Sequence, residues 1–198
     1  FGKSVIQAVL EGKVEQLILV NCCDSMRRVY DIVQNTGKCQ FLYLLDLPHE
    51  DHECEKVKFA RSIQNLKDAY AAYSHKTFDS RLFLNTFHHA TAESRPYIGL
   101  LGVRVSGILE QMIRQNIQMP VQNLTCTGNR KIPLLPEDLA PLDEDALFLS
   151  YADALLSQMP CFRINTNTRR NQLYLDPNLK GIIYHTIKFC DYYGFEYA

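Results

Sequence analysis

The chain has 198 residues, 46% of them hydrophobic and 22% charged, with a formal net charge of −1. That is the makeup of a globular protein with room for one large or two small α/β domains. The charge leaves no basic face for nucleic acid, and the longest apolar runs, Leu17 to Val20 and Phe41 to Leu45, are far too short to cross a bilayer.

Lys3 to Leu10 has helical apolar spacing (Val5, Ile6, Val9, Leu10), ended by Gly12. Leu17 to Val20 is a continuous apolar run that suits a strand buried on both faces. Asp24 or Ser25 can cap a helix through Arg27, Val29, Ile32 and Val33, closed by Gly37. Phe41 to Leu45 reads as the next buried strand, and Asp46-Leu47-Pro48-His49 as a loop. Glu53 to Tyr73 reads as a long amphipathic helix with Val57, Ala60 or Ile63, Leu66 and Ala69-Tyr70 on one side. Strand, helix, strand, helix favours a parallel sheet.

Phe78 to His89 is expected to be helical, and Ala90 to Pro96 is the best linker candidate. The expected division is therefore an N-terminal lobe over 1–92 and a C-terminal lobe over 93–198. The second lobe begins with a strand at Tyr97 to Gly102 and a helix over Val103 to Ile117 (Val105, Ile108, Leu109, Met112, Ile113). A strand at Pro120 to Leu124 and a loop at Cys126 to Arg130 follow. Pro133 to Pro141 is expected to be irregular. Asp143 or Asp145 can cap a helix to Leu156. Cys161 to Ile164 reads as a short strand, Asn167 to Tyr174 as a helix stopped by Pro177, and Gly181 to His185 as the last strand.

Seven cysteines without a secretory leader read as reduced thiols, which places the chain in the cytoplasm. The opening Phe1-Gly2-Lys3-Ser4 has no initiator Met, and the chain stops soon after a strand. The expectation is a processed or partial chain, cut at both ends. No CxxC pair occurs, which argues against a zinc ribbon or a thioredoxin-like motif. Cys22-Cys23-Asp24 and Cys190-Asp191 each follow a strand. At such an edge of a parallel sheet ligands bind, and helix-terminal amides favour thiolate. The competing reading is small buried filler. Cys126 precedes Gly128, which lets backbone approach a ligand, and Cys161 follows Pro160. Cys39 and Cys54 read as structural.

Thiolates without clustered histidines fit an iron–sulfur cluster better than catalytic zinc. His49 and His52 flank a polar loop, and His88-His89 lack the i, i+4 spacing of a helical metal site. His185 ends the last strand and reads as a satisfied core histidine ahead of the alternative that it faces the same edge as Cys190. Gly99 to Gly107 is only superficially a phosphate loop, having neither GxGxxG nor Gly-Lys-Ser/Thr. Its Gly107 and Arg104 at a helix start still suit an anionic group. Arg169-Arg170 suits a phosphate or carboxylate, or simply a solvated face.

Taken in order, the chain resembles the 2-hydroxyacyl-CoA dehydratase and benzoyl-CoA reductase subunit family. The resemblance is carried by Cys23-Asp24 with Met26 to Asp31, Leu45-Asp46-Leu47-Pro48, Gly102 and Gly107, and Cys126-Thr127-Gly128-Asn129-Arg130. It continues through Tyr151-Ala152, Pro160-Cys161, Arg169 or Arg170, and Gly181-Ile182-Ile183 before Phe189-Cys190-Asp191.

The resemblance implies an α/β fold of two flavodoxin-like three-layer lobes, with short parallel sheets and a cleft between them. It implies a 4Fe-4S cluster on cysteine thiolates. It also implies an iron–sulfur subunit passing a low-potential electron to an acyl-CoA thioester, so that a ketyl radical sheds its hydroxyl as water. Related machinery reduces aromatic rings, and a sister branch holds a double-cubane 8Fe-9S cluster. Implied partners are a second homologous subunit, an ATP-dependent activator protein and the acyl-CoA substrate, with no nucleic acid and no membrane.

Cys23 and Cys190 match cluster ligands. Cys126 and Cys161 match further family cysteines that matter most in the double-cubane branch. Gly102, Ser106, Gly107 and Arg130 are the expected seat of the thioester or the CoA phosphates. No catalytic residue is assigned. The chain departs from the pattern by lacking the first cluster cysteine and by a shortened helical stretch over Glu53 to Pro96. Two alternatives stand beside this reading: a non-catalytic partner or electron-transfer subunit of the same fold, and a double-cubane reductase.

Overall fold

The computed structural model describes residues 2–50, 52–85, 95–125, 143–156, 171 and 173–188. These divide into two compact units. One takes the described residues of Phe1–Thr86 and Leu135–Asp153, the other those of Phe87–Leu134 and Ala154–Ala198. In chain order the elements are α1 (Gly2–Leu10), β1 (Gln16–Asn21), α2 (Asp24–Thr36), β2 (Phe41–Asp46), α3 (Glu53–Ser74), α4 (Ser80–Asn85), β3 (Tyr97–Gly102), α5 (Gly107–Asn116), β4 (Val121–Asn123), α6 (Glu144–Leu156) and β5 (Leu179–His185). The chain is thus mixed α/β with short parallel sheets.

In the first unit β1 and β2 pair in parallel, from Gln16 opposite Phe41 to Asn21 opposite Asp46. The helix α2 makes the connection that parallel strands require. Val9 of α1, Leu19 of β1, and Val29 and Val33 of α2 form the buried core, with Val5, Ile6 and Leu17 packed around it. Gly37 closes α2 in the left-handed conformation, φ 61°, which glycine adopts without a Cβ penalty. Phe41 meets Tyr70 of α3 edge-on at 5.1 Å, a favoured aromatic geometry. Burial on both faces of β1 does not hold: Ile18 is 48% exposed. Among the described residues this sheet has two strands, so neither is flanked on both sides.

The buried stripe of α3 also differs from expectation. Phe59, Ala60 and Ile63 carry it, while Val57 is 49% exposed. The same side of α3 is tied to α6 at both ends of that stripe: Lys56 pairs with Asp153 at 2.8 Å, and Lys67 pairs with Glu144 while lying over the rings of Phe78 and Phe148. Asp79 receives the amides of Arg81 and Leu82 and so starts α4. The expected helix from Phe78 is therefore described only over Ser80–Asn85, its remainder lying outside the described residues.

The second unit is a parallel sheet in the order β4–β3–β5. Its centre, β3, buries Leu100 against Val105, Val121 and the apolar side of α5 on one face. On the other face Tyr97 and Leu101 pack with Leu173. The helix α5 begins at Gly107, not at Val103. Ser106, in extended conformation, accepts the amide of Leu109 at 3.2 Å and fixes the start. The 103–106 segment is a loop whose Val105 plugs the core, so the apolar spacing there reported burial and not helix. No helix among the described residues is long and apolar enough to cross a membrane.

Candidate functional site at the strand ends

At the carboxyl end of β1 the chain turns sharply, with the Cys22 amide donating to the Val20 carbonyl at 2.7 Å. Beside it Asn21 Nδ2 donates to Asp46 Oδ1 at 2.6 Å, joining the two strand ends. Cys23, and neither Asp24 nor Ser25, is the cap of α2. It is extended (φ −170°, ψ 162°), and its carbonyl accepts the amides of Met26 and Arg27. Its thiol makes no capping bond. Asp24 sits in the first turn, where a carboxylate complements the helix dipole. Cys22 and Cys23 are both partly buried.

At the carboxyl end of β3 the backbone of Gly102 takes φ +96°, and a Cβ there would lie 2.1 Å from the His185 carbonyl oxygen. Only glycine fits. The tight approach lets the Val103 amide donate to that same carbonyl at 2.9 Å. The His185 ring Nδ1 lies 3.3 Å from the Val103 carbonyl, so this histidine is engaged within the fold. Of the three described residues in the expected seat, Gly102 serves the close approach and Ser106 caps α5. Gly107 faces open space, with nothing within 4 Å of where a Cβ would be.

One polar chain was not anticipated. Arg114 grips Glu110 Oε1 through Nε and Nη2, at 3.0 and 2.6 Å, and donates through Nη1 to the Val121 carbonyl at 2.6 Å. Glu110 Oε2 accepts Asn123 Nδ2 at 2.7 Å. Asn123 Oδ1 accepts both the amide and the hydroxyl of Thr125, at 3.1 and 2.6 Å. Thr125 is fully buried. The Arg114 guanidinium, helped by Asn123, holds the Glu110 carboxyl below its ordinary range against the opposing pull of burial. The legible signals were the i, i+4 spacing of Glu110 and Arg114 and the Asn-x-Thr turn pattern.

The other candidates are placed as follows. Cys39 packs on the core of the first unit, and burial raises its thiol above the ordinary range. Cys54 is exposed, so it does not pack as core. His52 pairs with Glu50 on the surface at 3.1 Å. Cys126, Cys161, Cys190 and Arg130, with His88, His89, Arg169 and Arg170, lie outside the described residues. Among the described residues no three His, Cys, Asp or Glu side chains converge as a metal site.

Parallel strands joined to helices, with a cysteine cap after β1 and a glycine-assisted turn after β3, define a mixed α/β protein. The family follows from comparison. The chain belongs to the 2-hydroxyglutaryl-CoA dehydratase, D-component family, whose model matches residues 85–198, more than half of its length. No curated protein matches the chain. The matched span holds Cys126, Cys161, Cys190, Gly102, Ser106, Gly107 and Arg130, and Cys23 precedes it.

For an iron–sulfur group the donor chemistry of the described residues is suitable. Cys23 is a partly shielded thiol at a helix start, uncommitted to capping. It is one donor, and the described residues do not assemble a full set around it.

Proposed function

We propose that this chain is an iron–sulfur subunit of a 2-hydroxyacyl-CoA dehydratase-like enzyme, with flavodoxin-like lobes that work beside a second homologous subunit and an ATP-dependent activator protein. The observation that carries the reading is the family match over 85–198, which contains Cys190, Cys126 and Cys161. The cap position of Cys23 at a strand end supports it. Cys23 and Cys190 would hold a 4Fe-4S cluster, which when bound supplies the low-potential electron for eliminating water from the acyl-CoA. The chain's own residues do the remaining work. The amides of the first turn of α5, opened by Gly107 and ordered by the Ser106 cap, would seat the thioester or a CoA phosphate. Arg130 would add a bidentate cation. Gly102 holds the strand end that presents them.

Iron and acid-labile sulfide, measured after anaerobic purification and reconstitution, test the cluster. Both are expected in the natural chain, with broad absorbance in the blue, and both should fall in Cys23→Ala and Cys190→Ala. A colourless natural chain would overturn the reading in favour of a cluster-free partner subunit. Iron lost equally in Cys126→Ala would favour a double-cubane centre. The seat has its own test: Gly107→Phe should abolish acyl-CoA binding in titration calorimetry, and unchanged binding would remove α5 from the site.

A further inference from the structure

The carbonyl of Val103 can only accept, so the His185 ring donates to it through Nδ1, at 3.3 Å. In the neutral ring the proton is then absent from Nε2, which becomes a lone-pair acceptor. The tautomer is held by a two-way clamp, because the Val103 amide donates in turn to the His185 carbonyl at 2.9 Å. Gly102, at φ +96°, is what admits the strand exits to that distance. His185 is half-buried, and among the described residues its Nε2 has no hydrogen-bond partner. A histidine serving the core alone would satisfy both nitrogens. This one commits Nδ1 and leaves Nε2 open.

The sheet topology gives that nitrogen a use. From β3 the chain passes through α5 to β4 on one side, and it returns to β5 on the other. The strand order therefore reverses at the β3–β5 pair. In an open parallel sheet, ligands bind outside the carboxyl ends at such a reversal. His185 is the last residue of β5 and stands opposite Gly102, the last of β3. From this clamp the chain runs directly to Ser106 and the start of α5.

We infer that His185 is a specificity-determining residue of the crevice at β3 and β5, its Nε2 accepting the hydroxyl of a 2-hydroxyacyl-CoA. The inference rests on the proposed function, which supplies that substrate class. At the reacting end of such a substrate the thioester oxygen only accepts, whereas the hydroxyl donates. A site built to bond a hydroxyl rejects the analogue that lacks it, because its own polar group is then left unpaired.

The test compares 2-hydroxyglutaryl-CoA with glutaryl-CoA by titration calorimetry on the reconstituted protein. The natural chain should prefer the hydroxylated probe about fivefold, the net worth of one hydrogen bond. In His185→Asn the amide nitrogen takes the place of Nδ1 and keeps the clamp, with nothing in the place of Nε2. The preference should vanish while glutaryl-CoA binds as before and the melting temperature holds. His185→Gln places its amide near Nε2 and gives up the clamp, so it should melt lower yet recover part of the preference. A merely structural histidine would show the lower melting without either change in preference. Should His185→Asn fail to fold, nitrogen NMR of the natural chain still decides. The ring should carry its proton on Nδ1, and its Nε2 signal should move with 2-hydroxyglutaryl-CoA and stay with glutaryl-CoA. Both probes bound with a preference that His185→Asn does not alter, or a proton found on Nε2 alone, overturns the inference and leaves the proposed function standing. Neither probe bound overturns both.

Discussion

The exit of β1 into α2 and the exit of β3 into α5 are the same strand–turn–helix joint built with different side chains. In the second unit the joint is fully committed. Ser106 spends its hydroxyl on the Leu109 amide, and Gly102 admits the His185 carbonyl where no other residue could stand. In the first unit the cap is a cysteine whose thiol makes no capping bond, and an exposed side-chain pair, Asn21 with Asp46, joins the strand ends. Serine at a cap contributes about 1 kcal/mol, so a cysteine there forgoes stability. On the proposed function, the residue with the weaker structural reason to be where it is would carry the chemical one. The two joints therefore divide the work: one is rigid backbone and open amides, the other presents a thiol.

The largest test of that division is Gly102→Ala. A Cβ within 2.1 Å of a backbone oxygen, at φ +96°, cannot be relieved by a side-chain rotation. The second unit should lose about 3 kcal/mol or fail to fold. Gly107→Ala, at a helix start with open space around it, should be neutral or should stabilise by about 0.5 kcal/mol. Urea midpoints measured on both variants separate them. Equal midpoints would mean that the β3 edge is not the tight joint described.

A second contrast lies at the opposite ends of the strands. Tyr70 and Tyr73 donate to the neutral amide oxygens of Gln16 and Gln40, whereas buried Tyr97 donates to the Asp176 carboxylate at 2.9 Å. Burial, then the bond to Asp176 and its charge, pushes the Tyr97 phenol up to about 12. In the unfolded chain a phenol titrates near ~10. The folded state thus holds the proton more tightly. The stabilisation is complete below about pH 10 and is lost as pH climbs toward about 12. Melting temperatures from neutral to strongly alkaline pH should fall less steeply in Tyr97→Phe than in the natural chain. Parallel curves would remove Tyr97 from the alkaline transition.

Element types were readable because strand and helix periods differ and because Gly12, Gly37 and Asp143 punctuate them in the ordinary way. The carboxylate of Asp143 does receive the Asp145 amide at the start of α6. Boundaries failed where an apolar residue served a loop: Val105 has the spacing of α5 but plugs the core ahead of it. The α2 cap was misread because Asp and Ser are the usual caps and cysteine is not. Gly102 reads in sequence as the last residue of a strand and part of the expected seat, yet its reason is a contact with a strand more than eighty residues away, at His185, which no local pattern encodes. The Glu110–Asn123 bridge was hidden for the same reason, since a charge pair within one helix looks complete in itself.

The smallest effect is the most direct probe of the two joints, because it exchanges their caps. Cys23→Ser gives α2 a side chain able to accept an amide of its first turn, and should raise stability by about 0.5 kcal/mol. Ser106→Ala takes the bond to Leu109 away and should lower stability by about 1 kcal/mol. If the thiol were there for structure, Cys23→Ser would be neutral or harmful to the melting temperature and would leave metal content alone. If it is there as a ligand, the same change stabilises the apo fold and costs the protein its iron. Stability gained and iron lost in one substitution separates chemistry from packing at Cys23, because packing alone would leave the metal content where it was.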